Sequence, residues 1–166
     1  MLIKIIWIVV FFVLLIFWIK NLAFFSPTSS NFNIQQLQSL EDRSLLTLKI
    51  NDQEYKVEVV NESSSIIKGL SGRLIIGSDG MLFVLGQKIK PSFWMKEMKF
   101  ALDLIWISDN RIVQIDKNVP FPDQNLALAL LPRYQSSFFV NQVLEVVDGF
   151  TDKQQIEVGD EIDYIF

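Results

Sequence analysis

The chain has 166 residues, of which 50% are hydrophobic and 20% charged, and its net charge is −4. All 19 acidic residues lie at or after Glu41, so the body of the chain is acidic and lacks the basic patch of a nucleic-acid-binding protein. The absence of cysteine and histidine excludes disulfide frameworks, thiolate metal sites and catalysis by thiol or imidazole. The acidic residues are scattered rather than grouped in a Ca²⁺-binding loop, so we expect neither a metal site nor a cofactor.

The first 25 residues are strongly hydrophobic and predict a membrane anchor. Residues 5–19 are apolar without interruption, and residues 2–25 would form a helix about 36 Å long, enough to cross the ~30 Å hydrocarbon core. Lys4 and Lys20 lie near its ends, where lysine amines can reach the lipid headgroups. We predict that residues 1–25 are an uncleaved signal-anchor helix in the lipid bilayer. A cleaved signal peptide and a buried core helix are the alternatives.

The charges around this segment give the expected orientation. The α-amino group and Lys4 precede the apolar run, whereas only Lys20 follows it. The positive-inside rule then favours a single-pass protein of the cell membrane with a cytoplasmic N-terminus and an extracytoplasmic domain. Residues 26–40 are uncharged and rich in Ser, Asn and Gln, which predicts a flexible polar linker.

Residues 41–166 predict a single β-rich globular domain. Residues 46–50 and 55–59 alternate apolar and polar side chains around a turn at Asn51 and Asp52, which is typical of a β-hairpin with one buried face. Further strands are expected at residues 81–85, 93–98, 102–108, 111–115, 143–147 and 160–165, with a hairpin turn at Asp109 and Asn110. The pattern indicates a mainly β sandwich or barrel with one short helix.

The one short helix is expected at residues 61–70. Asn61 or a following serine could cap it, and Gly69 or Gly72 could end it. Asn61, Glu62 and Ser63 also match a glycosylation acceptor, and we interpret that match as chance.

Six segments resemble, in the same order, the family known as domain of unknown function 192. They are KGLSGR from Lys68, DGMLFVL from Asp79, FWMKEMKFALDLIWIS from Phe93, RIVQI from Arg111, VLEVVDGF from Val143 and VGDEI from Val158. The resemblance covers about residues 45–166 and implies a mainly β, jelly-roll-like fold in small proteins that are often secreted or membrane-anchored. It implies no activity, because none is established for the family.

The chain departs from the family pattern at two places. The family usually has an Asn-Thr pair where this chain has Glu97 and Met98, and an Ile-Pro pair where it has Phe100 and Ala101. The resemblance therefore implies that a ligand held by the Asn-Thr pair in relatives would be bound differently here, or not at all.

Asp103 is the most informative candidate residue. It shares a strand face with Ala101, Ile105 and Ile107, so its carboxylate must be paired, hydrogen-bonded or shifted in pKa. A structural role, as a buried ion pair or as an acceptor of backbone N–H groups, is one interpretation. Ligand binding or general-base catalysis beside a cation and an aromatic ring is the other. The candidate cation partners are Lys96, Lys99 and Arg73.

The predicted ligand-binding set is completed by Arg73, Trp94, Lys96 and Glu145. Arg73 could anchor a loop or bind an anion, and Trp94 could fill the core or form the wall of a cleft. Glu145 could pair with Lys96 or Arg73. We predict no catalytic residue.

Three functions remain open. The first is a membrane-anchored binding module for a small polar or envelope-derived ligand such as a sugar. The second is a structural or protein-interaction domain of the cell envelope. The third, less favoured, is a hydrolase that uses a pair of carboxylates, Asp103 with Glu145 or Glu97.

Overall fold

The computed structural model describes residues 34–123 and 125–166, so the predicted anchor at residues 1–25 lies outside it. The helices of the described part are all too short to cross a membrane. They are α1 (Ile34–Gln38), α2 (Ser63–Lys68) and α3 (Phe150–Lys153), with a 3₁₀ turn at Leu128–Leu130. The strands are β1 (Leu45–Ile50), β2 (Gln53–Val60), β3 (Gly80–Ile89), β4 (Ser92–Trp94), β5 (Leu102–Ser108), β6 (Arg111–Val119), β7 (Arg133–Gln135), β8 (Val140–Val147) and β9 (Ile162–Ile165).

Seven strands form one sheet in the order β6-β5-β8-β3-β2-β1-β9, and β4 and β7 form a separate two-stranded ribbon. The sheet curls so that the start of β6 contacts the start of β9: the Ile112 amide donates to the Asp160 carbonyl at 2.9 Å and the Ile162 amide to the Asn110 carbonyl at 2.7 Å. The mainly β prediction is confirmed. The domain is a curled half-barrel with several short helices, rather than two comparable sheets with one helix.

The central strands β3, β5 and β8 are buried on both faces, so the domain has two hydrophobic cores. The core inside the curl, which we call the inner core, includes Leu48, Val57, Ile105, Leu144 and Tyr164. The core on the opposite side of the sheet, the outer core, includes Phe83, Leu102, Leu104, Trp106 and Val143. Alternate residues of one strand therefore enter different environments.

Both predicted hairpins are present. Asn51 and Asp52 have φ of 50° and 64°, and Asp109 and Asn110 have φ of 49° and 65°. Short polar residues adopt this left-handed region more readily than others, and two in a row match the right-handed twist of the flanking strands. The hairpins β1–β2 and β5–β6 are antiparallel, as the alternation predicted.

The predicted helix corresponds to α2, but its N-terminus is satisfied by a residue far away in sequence. The carboxylate of Asp42 accepts the backbone N–H groups of Asn61 and Glu62 at 3.0 and 3.3 Å and the hydroxyl of Ser65 at 2.6 Å. This replaces the local cap that the sequence suggested. The side-chain amide of Asn61 does not cap α2 and donates instead to the backbone carbonyls of Leu37, Gln38 and Leu40.

Helix α1 falls within the segment expected to be a linker. Its Leu37 is 0% exposed and lies in the inner core. Because Asn61 also binds carbonyls at the end of α1, the segment from Ile34 to Leu40 packs as part of the globular domain.

Candidate functional site

A cleft of about 350 Å³ opens on the outer side of the sheet. It lies between the end of α2 with the loop that follows, strand β3 and the β4–β7 ribbon. Its size is within the range of small-molecule sites. The walls are mainly apolar and include Ile66, Leu70, Phe83, Phe93, Met95 and Met98.

The loop after α2 is fixed to the rest of the cleft by backbone contacts. Gly69 and Gly72 have positive φ, 47° and 80°, and supply the turns expected of them. A Cβ on Gly69 would lie 3.2 Å from the ring of Phe83, so this position also permits a close approach of the helix end to β3. The hydroxyl of Ser71 donates to the Lys96 carbonyl at 2.8 Å and ties this loop to the segment after β4.

Glu145 on β8 lines the inner part of the cleft and is only 6% exposed. Its neighbours in the sheet register are Met81 on β3 and Leu104 on β5, which are both apolar. In the part of the chain that the structure describes, no side chain or backbone group donates a hydrogen bond to its carboxyl, and no cation pairs with it. Burial alone raises the pKa of Glu145 to about 8, so the side chain is mainly protonated at neutral pH.

Two exposed cations, Lys68 and Arg133, also line the cleft, and we call the part that they line its mouth. The guanidinium of Arg133 lies 4.0 Å from the ring centroid of Trp94, which faces it across the β4–β7 ribbon. The Lys96 ammonium lies 5.9 Å from the same ring. The aromatic wall at Trp94 is therefore flanked by positive charge.

Asp103 lies on the opposite face of the sheet from the cleft. It is 0% exposed, and its carboxylate accepts the Asn118 amide at 2.9 Å and the amide and hydroxyl of Thr151 at 3.0 and 2.7 Å. These donors, rather than the cations proposed from the sequence, hold the end of β6 and the start of α3 against β5. Asp103 thus has the structural arrangement that was one of its two interpretations.

Arg73 is also outside the cleft. Its two terminal nitrogens donate to the carboxylate of Glu58 at 2.7 and 2.8 Å, and Glu58 is paired with Arg43 at 2.7 Å as well. The hydrogen bonds from Arg73, more than those from Arg43, hold the pKa of Glu58 below its ordinary value. Arg73 also donates to the Ile76 carbonyl, so it fastens the loop between α2 and β3 to strand β2.

The structure therefore divides the predicted set. Trp94 and Glu145 line the cleft, Lys96 contacts Trp94 beside it, and Arg73 and Asp103 lie elsewhere. The sequence did not indicate that Arg133 belongs to this site, because β7 is a three-residue strand inside a segment that looks like a loop. The sequence indicated Lys68 only as part of a helix end.

The chemistry available in the cleft is hydrogen bonding and charge attraction. Asp103 and Glu145 lie on opposite faces, because Glu145 stands opposite Leu104, the neighbour of Asp103. They do not flank a common substrate, as a pair of hydrolytic carboxylates would have to. Within residues 34–123 and 125–166, no three acidic side chains are grouped to hold a metal ion.

Comparisons with known proteins agree with the fold. The model of a family described as an uncharacterized ACR, DUF192, matches residues 46–164. A protein of unknown function from Novosphingobium aromaticivorans has a similar structure, with a TM-score of 0.60 and 24% identity over 72% of this chain and 83% of that one. A putative transcription regulator from Sinorhizobium meliloti has a TM-score of 0.65 and 24% identity over 76% of this chain and 98% of that one. No curated protein matches the chain.

Proposed function

This chain belongs to the DUF192 family, and we propose that it is a membrane-anchored, extracytoplasmic binding module for a small ligand with a hydrogen-bonding group. The observation that carries the proposal is Glu145, a carboxyl that is 6% exposed in an apolar cleft and has no partner among the described residues. Among the described residues, Ser44 Oγ and not the Glu145 carboxyl is the buried side-chain polar atom that lacks a hydrogen-bond partner, so the Glu145 oxygens are accessible from the cleft. A ligand with a hydrogen-bonding group can reach Glu145 and supply the partner that the described residues do not.

The membrane placement rests on the first part of the sequence. Residues 1–25 have the length and apolarity of a single span, and the α-amino group and Lys4 precede its uninterrupted apolar run of residues 5–19, whereas only Lys20 follows that run. Since α1 begins at Ile34, only residues 26–33 are left as a linker, and eight residues reach about 28 Å at most.

The placement can be tested on whole cells. We expect the full chain to remain in the membrane fraction after alkaline carbonate extraction and to be digested by a protease added from outside. Release by carbonate would refute the anchor, and protection from the protease would refute the orientation.

The binding function is tested by thermal shift of the full chain in a mild detergent against a library of small polar compounds. A ligand at about 100 times its Kd raises the free energy of unfolding by about 2.7 kcal/mol, which is easily seen. We expect ligands of the cleft to stabilise the wild type and the variant Glu54→Gln, which removes an exposed carboxylate from β2. They should not stabilise Glu145→Leu. Equal stabilisation of all three proteins would refute a site at Glu145.

A protein-interaction domain of the envelope is the second candidate. It is favoured by five large apolar side chains of residues 121–139 that are more than half exposed, since such surface often marks a contact with another protein. These side chains are Phe121, Leu128, Leu130, Phe138 and Phe139. This alternative predicts a partner that co-purifies from membranes and is lost in Leu130→Glu but kept in Glu145→Leu.

A further inference from the structure

We infer, on the basis of the binding function proposed above, that the ligand is a small monoanion with a flat apolar body. Its anionic group would lie at the mouth near Lys68 and Arg133, and a hydroxyl or similar group at its other end would reach Glu145. The ring-shaped middle would pack between the aromatic and methionine side chains of the walls.

The first argument is that the cations at the mouth have no anionic partner. The body of the chain is acidic, and seven of the 13 lysine and arginine side chains of the described residues form ion pairs. Lys68 and Arg133 pair with no carboxylate of residues 34–123 or 125–166, although both line the cleft. These two cations attract an anion and repel a cationic ligand.

The second argument concerns the group at the inner end. The strands on either side of Glu145 present Met81 and Phe83 from β3 and Leu104 from β5, which carry no charge. Among residues 34–123 and 125–166, the titratable groups that line the cleft besides Glu145 are the two cations of the mouth. Burial keeps the pKa of Glu145 near 8, so at neutral pH it does not repel an anion and can both donate and accept a hydrogen bond.

The third argument is the shape of the walls. Phe83 and Phe93 are packed edge to face with their ring centroids 5.0 Å apart, and Phe93 packs on Trp106 in the same way at 5.5 Å. This interlocked row is rigid, whereas Met95 and Met98 on the other side can adapt to the shape of a ligand. A flat apolar ring suits such walls.

A sugar, which was the polar ligand considered from the sequence, suits the cleft less well. The inner part of the cleft is lined by apolar side chains and Glu145, whereas Lys68 and Arg133 lie at its mouth, so a sugar that entered would place several hydroxyls against apolar walls. A cationic ligand would have to pass Lys68 and Arg133 and would bind best only after Glu145 had lost its proton.

Four matched probes test the inference. Para-hydroxyphenylacetate, tyrosol and tyramine carry the same phenol ring with an anionic, neutral or cationic end, and phenylacetate is the anion without the phenol hydroxyl. Affinities are measured by calorimetry on the full chain in a nonionic detergent near pH 6.5. The change in Trp94 fluorescence, obtained by subtracting the variant Trp94→Phe, shows whether a probe enters the cleft. We expect para-hydroxyphenylacetate to bind about tenfold more tightly than tyrosol or phenylacetate, and tyramine to bind most weakly.

Variants separate the two ends of the ligand. Lys68→Gln and Arg133→Gln should reduce the preference for the anion over tyrosol and leave the preference for the phenol hydroxyl unchanged. Glu145→Leu should reduce the preference for the phenol hydroxyl and leave the preference for the anion over tyrosol unchanged. Raising the pH from about 6.5 to about 9 should weaken anion binding to the wild type, because Glu145 loses its proton, but not to Glu145→Gln.

The inference and the proposed function fail in different ways. If tyrosol or tyramine changes Trp94 fluorescence and binds as tightly as the anion, the charge assignment is wrong while small-ligand binding stands. If none of the four probes changes Trp94 fluorescence and no library compound stabilises the wild type over Glu145→Leu, both are wrong. Thermal melts of each variant without ligand establish that a lost affinity is not a lost fold.

Discussion

Asp103 on β5 and Glu145 on β8 are buried carboxyl groups on adjacent strands, yet they face opposite sides of the sheet. Asp103 is 0% exposed and accepts three hydrogen bonds from Asn118 and Thr151. Glu145 is 6% exposed and accepts none from the described residues. The two side chains are almost equally buried, so burial does not distinguish a structural carboxyl group from a functional one. The number of hydrogen-bond donors around each carboxyl group does.

The difference follows from the face of the sheet on which each residue lies and from what packs against that face. Asp103 is near the start of β5, where α3 begins and β6 ends, so backbone N–H groups that lack partners are within reach. Glu145 is the sixth of the eight residues of β8 and faces the other side of the sheet, and the backbone groups beside it are already paired with β3 and β5. Only a side chain or a ligand could donate a hydrogen bond to its carboxyl, and no side chain of the described residues does so.

Replacing Asp103 should have the largest effect on stability. Asp103→Ala leaves three buried or partly buried donors without an acceptor, and we expect it to lower the free energy of unfolding by about 3–5 kcal/mol. Chemical denaturation of the full chain measures this. Asp103→Asn keeps one acceptor oxygen and should lose less. A loss below about 1 kcal/mol for the alanine variant would mean that the hydrogen bonds are not what holds α3 in place.

Replacing Glu145 should raise the free energy of unfolding rather than lower it, by an amount that depends on pH. The folded pKa of about 8 lies above the ordinary value of 4.5, so unfolding releases a proton between these two pH values. The stability contributed by the neutral form is complete below about pH 4.5 and is lost as pH rises to about 8. Glu145→Gln has no such loss and should be more stable than the wild type by roughly 4 kcal/mol near pH 8.

The difference between the two denaturation curves should disappear near pH 4, where both side chains are neutral. A difference that stays constant from pH 4 to pH 8 would show that Glu145 is not protonated in the folded protein. It would also remove the physical reason for proposing a ligand beside it.

Much of the fold could be predicted, because the deciding interactions are local. The turns at Asn51 and Asp52 and at Asp109 and Asn110 depend on residues that adopt positive φ, and the alternation around them indicates which faces are buried. The faces of β5 were also predicted correctly, with Asp103 on the side of Ile105.

The site was harder to predict, because its partners come from distant parts of the chain. The donors to Asp103 lie 15 and 48 residues away, in Asn118 and Thr151, and no sequence pattern singles them out. Arg133 reaches the cleft through a strand of three residues, too short to show periodicity. The lack of a partner at Glu145 depends on every neighbour that packs around it, so it is visible only in the folded structure.

Arg73 and Arg133 differ in their partners. Arg73 forms an ion pair, whereas Arg133 lines the cleft and pairs with no carboxylate of the described residues. The substitution Arg73→Gln removes the paired arginine and should destabilise the protein by about 1 kcal/mol near pH 7. The effect should shrink on acidification, because hydrogen bonds from Arg73 lower the pKa of Glu58, and that contribution is lost as pH falls through the folded pKa. Probe affinity in the cleft should not change. A lower affinity in calorimetry would assign Arg73 to the site after all.

Lys96 should show the smallest effect, although it lies next to Trp94. Its side chain is 36% exposed and its ammonium is 3.7 Å from the Glu97 carboxylate, a surface ion pair that contributes little. The cleft depends on the backbone carbonyl of Lys96, which accepts a hydrogen bond from the Ser71 hydroxyl. Any variant at this position keeps that carbonyl. Lys96→Ala should therefore change stability by less than about 0.5 kcal/mol and anion affinity by less than about threefold, far less than Lys68→Gln or Arg133→Gln. If Lys96→Ala instead weakened anion binding as much as Arg133→Gln, the anion would lie over the face of Trp94 rather than at the mouth lined by Lys68.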